Sequence, residues 1–82
     1  MTQTRRIGWE REPDVHGYAA GIVNGGKLLT EATVTPRPDG SAVYDVFGRN
    51  GVTVVATGTA RTVKAAKKAA EAGMRRAVIR AA

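Results

Sequence analysis

From Gly17 to Thr57 apolar side chains tend to fall on every second residue, and short clusters of glycine, asparagine and proline interrupt the run. Tyr18, Ala20 and Ile22 share one face of an extended segment. Asn24-Gly25-Gly26 then breaks the pattern, and Leu28, Thr30, Ala32 and Val34 resume it. A period of two is what a strand with one buried face produces, and Asn-Gly supplies the positive φ angles that a tight hairpin turn needs. Pro36 and Pro38-Asp39-Gly40 mark the next turn. Ala42, Tyr44 and Val46 then alternate against Val43, Asp45 and Phe47. After Asn50-Gly51, residues Val52, Val54 and Ala56 alternate against Thr53, Val55 and Thr57. Connections this short cannot carry a parallel crossover, so four such strands pair as an antiparallel meander.

The period changes at Thr62, whose hydroxyl suits a helix N-cap. Val63, Ala66, Ala70, Met74 and Ala77 recur at intervals of three and four, which makes one apolar stripe. Because the stripe is mostly alanine the helix can approach a sheet closely, and the bulk of the core is expected from Tyr18, Ile22, Leu28, Val34, Tyr44, Val46 and Val54. Gly73 weakens the helix and so points either to close backbone packing or to an early loss of order. The fold expected is α+β: residues 17–82 form a four-stranded antiparallel meander sheet with one C-terminal α-helix packed on one face. Residues 1–16, MTQTRRIGWEREPDVH, read as a basic N-terminal arm. Pro13 opposes a helix there, and Trp9 could anchor a short fifth edge strand.

With 82 residues the chain has room for one small domain, and without cysteine neither a disulfide nor a thiolate zinc site can brace it. No apolar run of signal-peptide kind opens the sequence, and none approaches the length of a membrane span. A cytoplasmic protein with no membrane partner is the expectation. Catalysis has little to work with. His16 is the single histidine, and Ser41 is the single serine and lacks a nucleophile-elbow context. The carboxylates Glu10, Glu12, Asp14, Glu31, Asp39, Asp45 and Glu71 lack the spacing of a metal-ligand loop. The chain is read as a non-enzyme with neither metal nor cofactor.

Thirteen Lys and Arg against seven Asp and Glu leave a formal charge of +6, which favours polyanionic partners. Much of that charge sits in one stretch, ARTVKAAKK. Arg61, Lys64, Lys67 and Lys68 gather where the positive end of a helix dipole should lie, and Arg75 follows on the flank shared by Lys64 and Lys68. These five are the candidate nucleic-acid-binding residues.

Read as a whole, PDGSAVYDVFGRNGVTVVATGTARTVKAAKKAAEAGMRRA resembles the C-terminal half of a double-stranded RNA-binding domain. Pro38 and Asp39 match that family's turn, Tyr44 and Val46 its inward strand residues, and Gly58 a glycine ahead of the helix. Thr62 stands at its capping serine, while Lys64, Ala66 and Lys67 fall on the second lysine, the alanine and the last lysine of its basic helix motif. The likeness covers roughly half of the chain. Val63 departs from the motif's first lysine, Gly40 from the loop histidine, and no amphipathic helix precedes Gly17. The resemblance implies phosphate contacts from the helix N-terminus without the family's reach into successive grooves.

A second feature lies on the sheet face away from the helix, where alternation places Val43, Phe47 and Val55. A bare face this apolar calls for a cover, either the arm through Ile7 and Trp9 or a second copy of the chain. Trp9, Val43, Phe47 and Val55 are therefore candidate interface residues. The leading expectation is a small nucleic-acid-binding protein, for RNA or DNA with low sequence specificity. The alternative is a protein-interaction module, of the kind found among phage accessory or host-modulating proteins, acting through that face or as a homodimer.

Overall fold

The structure is a computed structural model and describes residues 4–12, 16–49 and 51–81. Five strands occur among these residues: β1 (Thr4–Glu12), β2 (Gly17–Asn24), β3 (Lys27–Pro36), β4 (Ala42–Phe47) and β5 (Val54–Ala60). One helix follows, α1 (Val63–Ala81). The strands lie in sequence order as a single antiparallel sheet, with β1 and β5 at its edges. The α+β meander with a C-terminal helix is thus as the alternation implies.

Glycines sit where the turns require them. Gly25 and Gly26 adopt φ of 59° and 81° between β2 and β3, and Gly40 adopts 92° between β3 and β4. In the latter turn the Arg37 amide donates to the Ser41 carbonyl at 2.8 Å, and the Ser41 hydroxyl donates to Asp39 Oδ1 at 2.6 Å. Gly51 has φ of 69°, while Asn50 of that second Asn-Gly pair lies outside the described residues.

The expected N-terminal arm is in large part a strand. β1 runs nine residues and pairs with β2 from Thr4 opposite Asn24 to Glu12 opposite Gly17. Residues 1–3 and 13–15 of the expected arm, Pro13 among them, lie outside the described residues. The short edge strand expected near Trp9 is present but longer. Its extent is masked by the charged side chains of TRRIGWERE: only one side of an edge strand's backbone needs a partner, and most of its side chains meet solvent.

The helix stripe Ala66, Ala70 and Met74 is buried against Ala20, Ile22, Ala32, Val34, Ala42 and Val46. Close packing is the alternative that holds at Gly73, since a Cβ there would come within 2.9 Å of Val46 Cγ2. Buried Thr30 stays satisfied by donating to the Phe47 carbonyl at 2.6 Å.

Two register shifts correct the sequence reading of the core. One falls between Ile22 and Val23, where Ile22 pairs with Thr30 but Val23 pairs with Leu28. It turns Leu28 to the far face, beside Gly21, and lets Leu29 pack on the core in its place. The other falls between Val46 and Phe47, which pair with Ala56 and Val54. Val54, expected in the core, therefore shares the far face with Phe47 and is 49% exposed. Val55 moves to the helix side, where it lines a groove with Ala56, Gly73 and Ala77. An extra residue in one strand reverses the alternation beyond it.

Candidate nucleic-acid interface

Thr62 caps the helix as its sequence position implies. Its hydroxyl accepts from the Ala65 amide at 3.0 Å and its carbonyl from the Ala66 amide at 3.0 Å. No acidic residue occupies the first turn, so the positive end of the dipole stays uncompensated. Lys64, Lys68 and Arg75 are exposed and lie within about 40° of one another around the axis at 100° per residue. They form a ridge that runs about 16 Å from Lys64 to Arg75 at ~1.5 Å per residue. Exposed Arg61 stands just before the cap.

Lys67 is separate from this ridge. Its Nζ lies 3.9 Å from the centroid of the Tyr18 ring and 5.9 Å from that of Trp9, and the residue is half-buried. At such distances the ring quadrupoles hold the ammonium, so its charge is engaged inside the fold rather than offered outward. Beside it, Trp9 Nε1 donates to Glu71 Oε2 at 2.7 Å. Glu71 is thus a clamp between α1 and β1.

The sheet brings two further cations to the ridge. Ala42 pairs with both Pro36 and Ala60, so the Arg37–Gly40 turn and Arg61 leave the same end of the sheet. Arg37 is exposed there, at the end of the sheet from which the chain enters α1. At the other end of the ridge, Arg6 pairs with Ile22 and so lies on the helix side. It lines a cavity of about 100 Å³ with Trp9, Ile22, Glu71, Met74 and Arg75. The sequence pattern could not have found either residue, because both positions depend on strand register.

The face away from the helix has the opposite character. Strand pairing places Glu10, Glu12, Glu31 and Asp45 there, with Arg5 at one end of the same face. Glu10, Glu12 and Glu31 surround a floor of Ala19, Gly21 and Leu28. Val43, Phe47 and Val54 share that face, but Asp45 stands between Val43 and Phe47 and accepts from Thr57 Oγ1 at 2.7 Å. The expected interface set therefore divides. Val43 and Phe47 remain on the far face, whereas Val55 has moved to the helix side and Trp9 is held under α1, where it cannot cover Phe47.

Among the described residues no group of three or more His, Cys, Asp or Glu side chains is placed to hold a metal ion, and no helix is long and apolar enough to cross a membrane. Comparison with protein-family models, with curated proteins and with solved structures found no match.

Proposed function

We propose that the chain is a small non-enzymatic protein that binds nucleic acid through the phosphate backbone, using the ridge Lys64, Lys68 and Arg75 together with Arg61 before the helix cap and Arg37 at the same end of the sheet. The observation that carries this reading is the segregation of charge. Exposed cations line one flank of α1, while Glu10, Glu12, Glu31 and Asp45 occupy the opposite side of the sheet. A polyanion is attracted to one side of the molecule and repelled from the other. The capped helix with Lys64 at its first turn supports the likeness to the basic helix of double-stranded RNA-binding domains. β1, in place of that family's first helix, favours a single patch of phosphates over two successive grooves. Sequence preference should be slight, because long, mobile cations on a helix flank contact phosphates more readily than they read base edges.

The test is a titration with duplex RNA, duplex DNA and single strands across a range of salt. Five phosphate contacts, from Arg37, Arg61, Lys64, Lys68 and Arg75, give a slope of log affinity against log salt of about −4.5 on duplex DNA. A folded Lys64→Ala/Lys68→Ala/Arg75→Ala variant that binds every nucleic acid as tightly as the parent overturns the site. A second reading, a protein-interaction module, is favoured by one observation: β5 is an open sheet edge without a charged side chain.

A further inference from the structure

The two edges of the sheet are unlike. β1 carries Arg5, Arg6, Glu10, Arg11 and Glu12 within nine residues, and its register shifts between Ile7 and Glu10. Charge and a bulge are the usual means by which an edge strand is kept from pairing with another chain. β5 also has a register shift, at Val55, but it lacks the charge. Its seven residues, VVATGTA, include no charged residue and no proline, and among the described residues no strand lies beyond it. Val54 and Val55 are each 49% exposed, and Thr57 and Thr59 are exposed as well. In a chain of charge +6, this is the edge at which a second copy can approach without setting charge against like charge.

We infer that the chain forms a two-fold symmetric dimer in which β5 pairs antiparallel with β5 of a second copy, making one continuous sheet of at least ten strands. The inference is independent of nucleic-acid binding. An antiparallel strand pair is self-complementary, as an isologous contact must be. Centred on Thr57, the two-fold sets Ala56 against Gly58 of the second copy, two small residues on the helix side that leave the backbones free to close. The axis runs perpendicular to the sheet, so both helices stay on one face. α1 meets β5 with the flank that holds Gly73, Arg76 and Ala77, while Lys64, Lys68 and Arg75 lie away from it. Dimerisation therefore leaves the basic ridges uncovered.

Sedimentation equilibrium on the full chain, from about 1 to 500 μM, tests the inference together with amide hydrogen exchange. The parent should be a dimer whose β5 amides exchange slowly along the whole strand. Val55→Lys/Thr59→Lys should weaken the dimer roughly tenfold or more, because two charges per chain enter the new strand pair. Arg11→Ala, at an exposed position on β1 at the opposite edge of the sheet, should leave it unchanged. A parent that is monomeric at the highest concentration overturns the inference, as does a dimer that the double variant leaves intact. If the double variant fails to fold, the parent's exchange decides: fast exchange at alternate β5 amides in a dimer assigns the contact to another surface.

Discussion

Lys67 and Lys68 are adjacent in sequence and opposite in consequence, so truncating each gives a pair of outcomes that separates structure from binding. Lys67 Nζ sits 3.9 Å over the Tyr18 ring, and Trp9 at 5.9 Å lies at the outer limit of useful attraction. One well-placed ring on a half-buried cation contributes about 1 kcal/mol, and the alkyl stem packed between helix and sheet adds some tenths. The higher helix propensity of alanine returns a similar few tenths. Lys67→Ala should therefore cost about 1 kcal/mol, a fall in melting temperature of about 4 to 8 °C for a domain of this size. Lys68 is exposed, and Lys68→Ala should change stability by no more than about 0.5 kcal/mol. Binding should rank them the other way. Lys68→Ala removes one phosphate contact and lowers the salt slope by about 0.9 on duplex DNA, while Lys67→Ala leaves the slope within error. Thermal melts followed by circular dichroism and salt titrations on the same samples read both quantities. If Lys67→Ala costs no stability and flattens the slope as much as Lys68→Ala, the cation–π assignment is wrong and Lys67 belongs to the ridge.

Three further outcomes follow from the packing and the turns. Fully buried Val46→Ala should cost about 2 kcal/mol, whereas Val54→Ala on the far face should cost about 0.5 to 1 kcal/mol in denaturant titrations; the reverse order would mean that the β4–β5 register is misassigned. Gly17→Ala should cost more than about 2 kcal/mol, because a Cβ there collides with the Val34 carbonyl oxygen. Gly8→Ala, with open space around it, should be neutral to within about 0.5 kcal/mol, so equal effects at the two sites would sink the argument. Asp39 is held below the usual carboxylate pKa by the Ser41 hydroxyl and then by the Ser41 amide. A depressed acid stabilises the fold above its unfolded pKa and loses that contribution as pH falls through the folded value. Ser41→Ala should raise the Asp39 pKa in an NMR titration, and an unmoved value would refute the assignment.

The legible parts of the fold are those with local causes. The Asn-Gly and Pro-Asp-Gly turns, the Thr62 cap and the alanine stripe each follow from the conformational preferences of a few adjacent residues, and each is present. Alternation placed Tyr18, Ala20, Ile22, Ala32, Val34, Tyr44 and Val46 on the helix side correctly. It failed at Leu28 and at Val54 with Val55. In both places two apolar residues stand in succession, and local pattern cannot say which of Leu28 and Leu29, or of Val54 and Val55, faces inward when an extra residue enters the strand. The pairing partner decides that, and a partner is a non-local fact. The candidate site divides on the same line. Lys64, Lys68 and Arg75 share a ridge because helical geometry puts them there. Arg37 and Arg6 join it, and Lys67 leaves it, through the positions of β1, β2 and β4, which no short stretch of sequence contains.

The alanine content of α1 links these results. A helix bearing large side chains would stand off from the sheet and would need bulky residues on several sides. Ala66 and Ala70 let this one lie close enough for Gly73 to touch Val46, so one narrow stripe suffices to hold it. The rest of its circumference is then free for other tasks, and the sheet apportions them. Toward β1, Lys67 and Glu71 reach Tyr18 and Trp9 and tie down the charged edge strand. Outward, Lys64, Lys68 and Arg75 are exposed to solvent. Toward β5, Gly73 and Ala77 leave a shallow groove above an uncharged edge. A larger residue at position 70 would disturb all three at once, because lifting the helix would slacken the Trp9–Glu71 hydrogen bond and separate Lys67 from its ring. The close helix is thus what allows a domain without cysteine to fix β1, present one basic ridge and leave the β5 edge accessible.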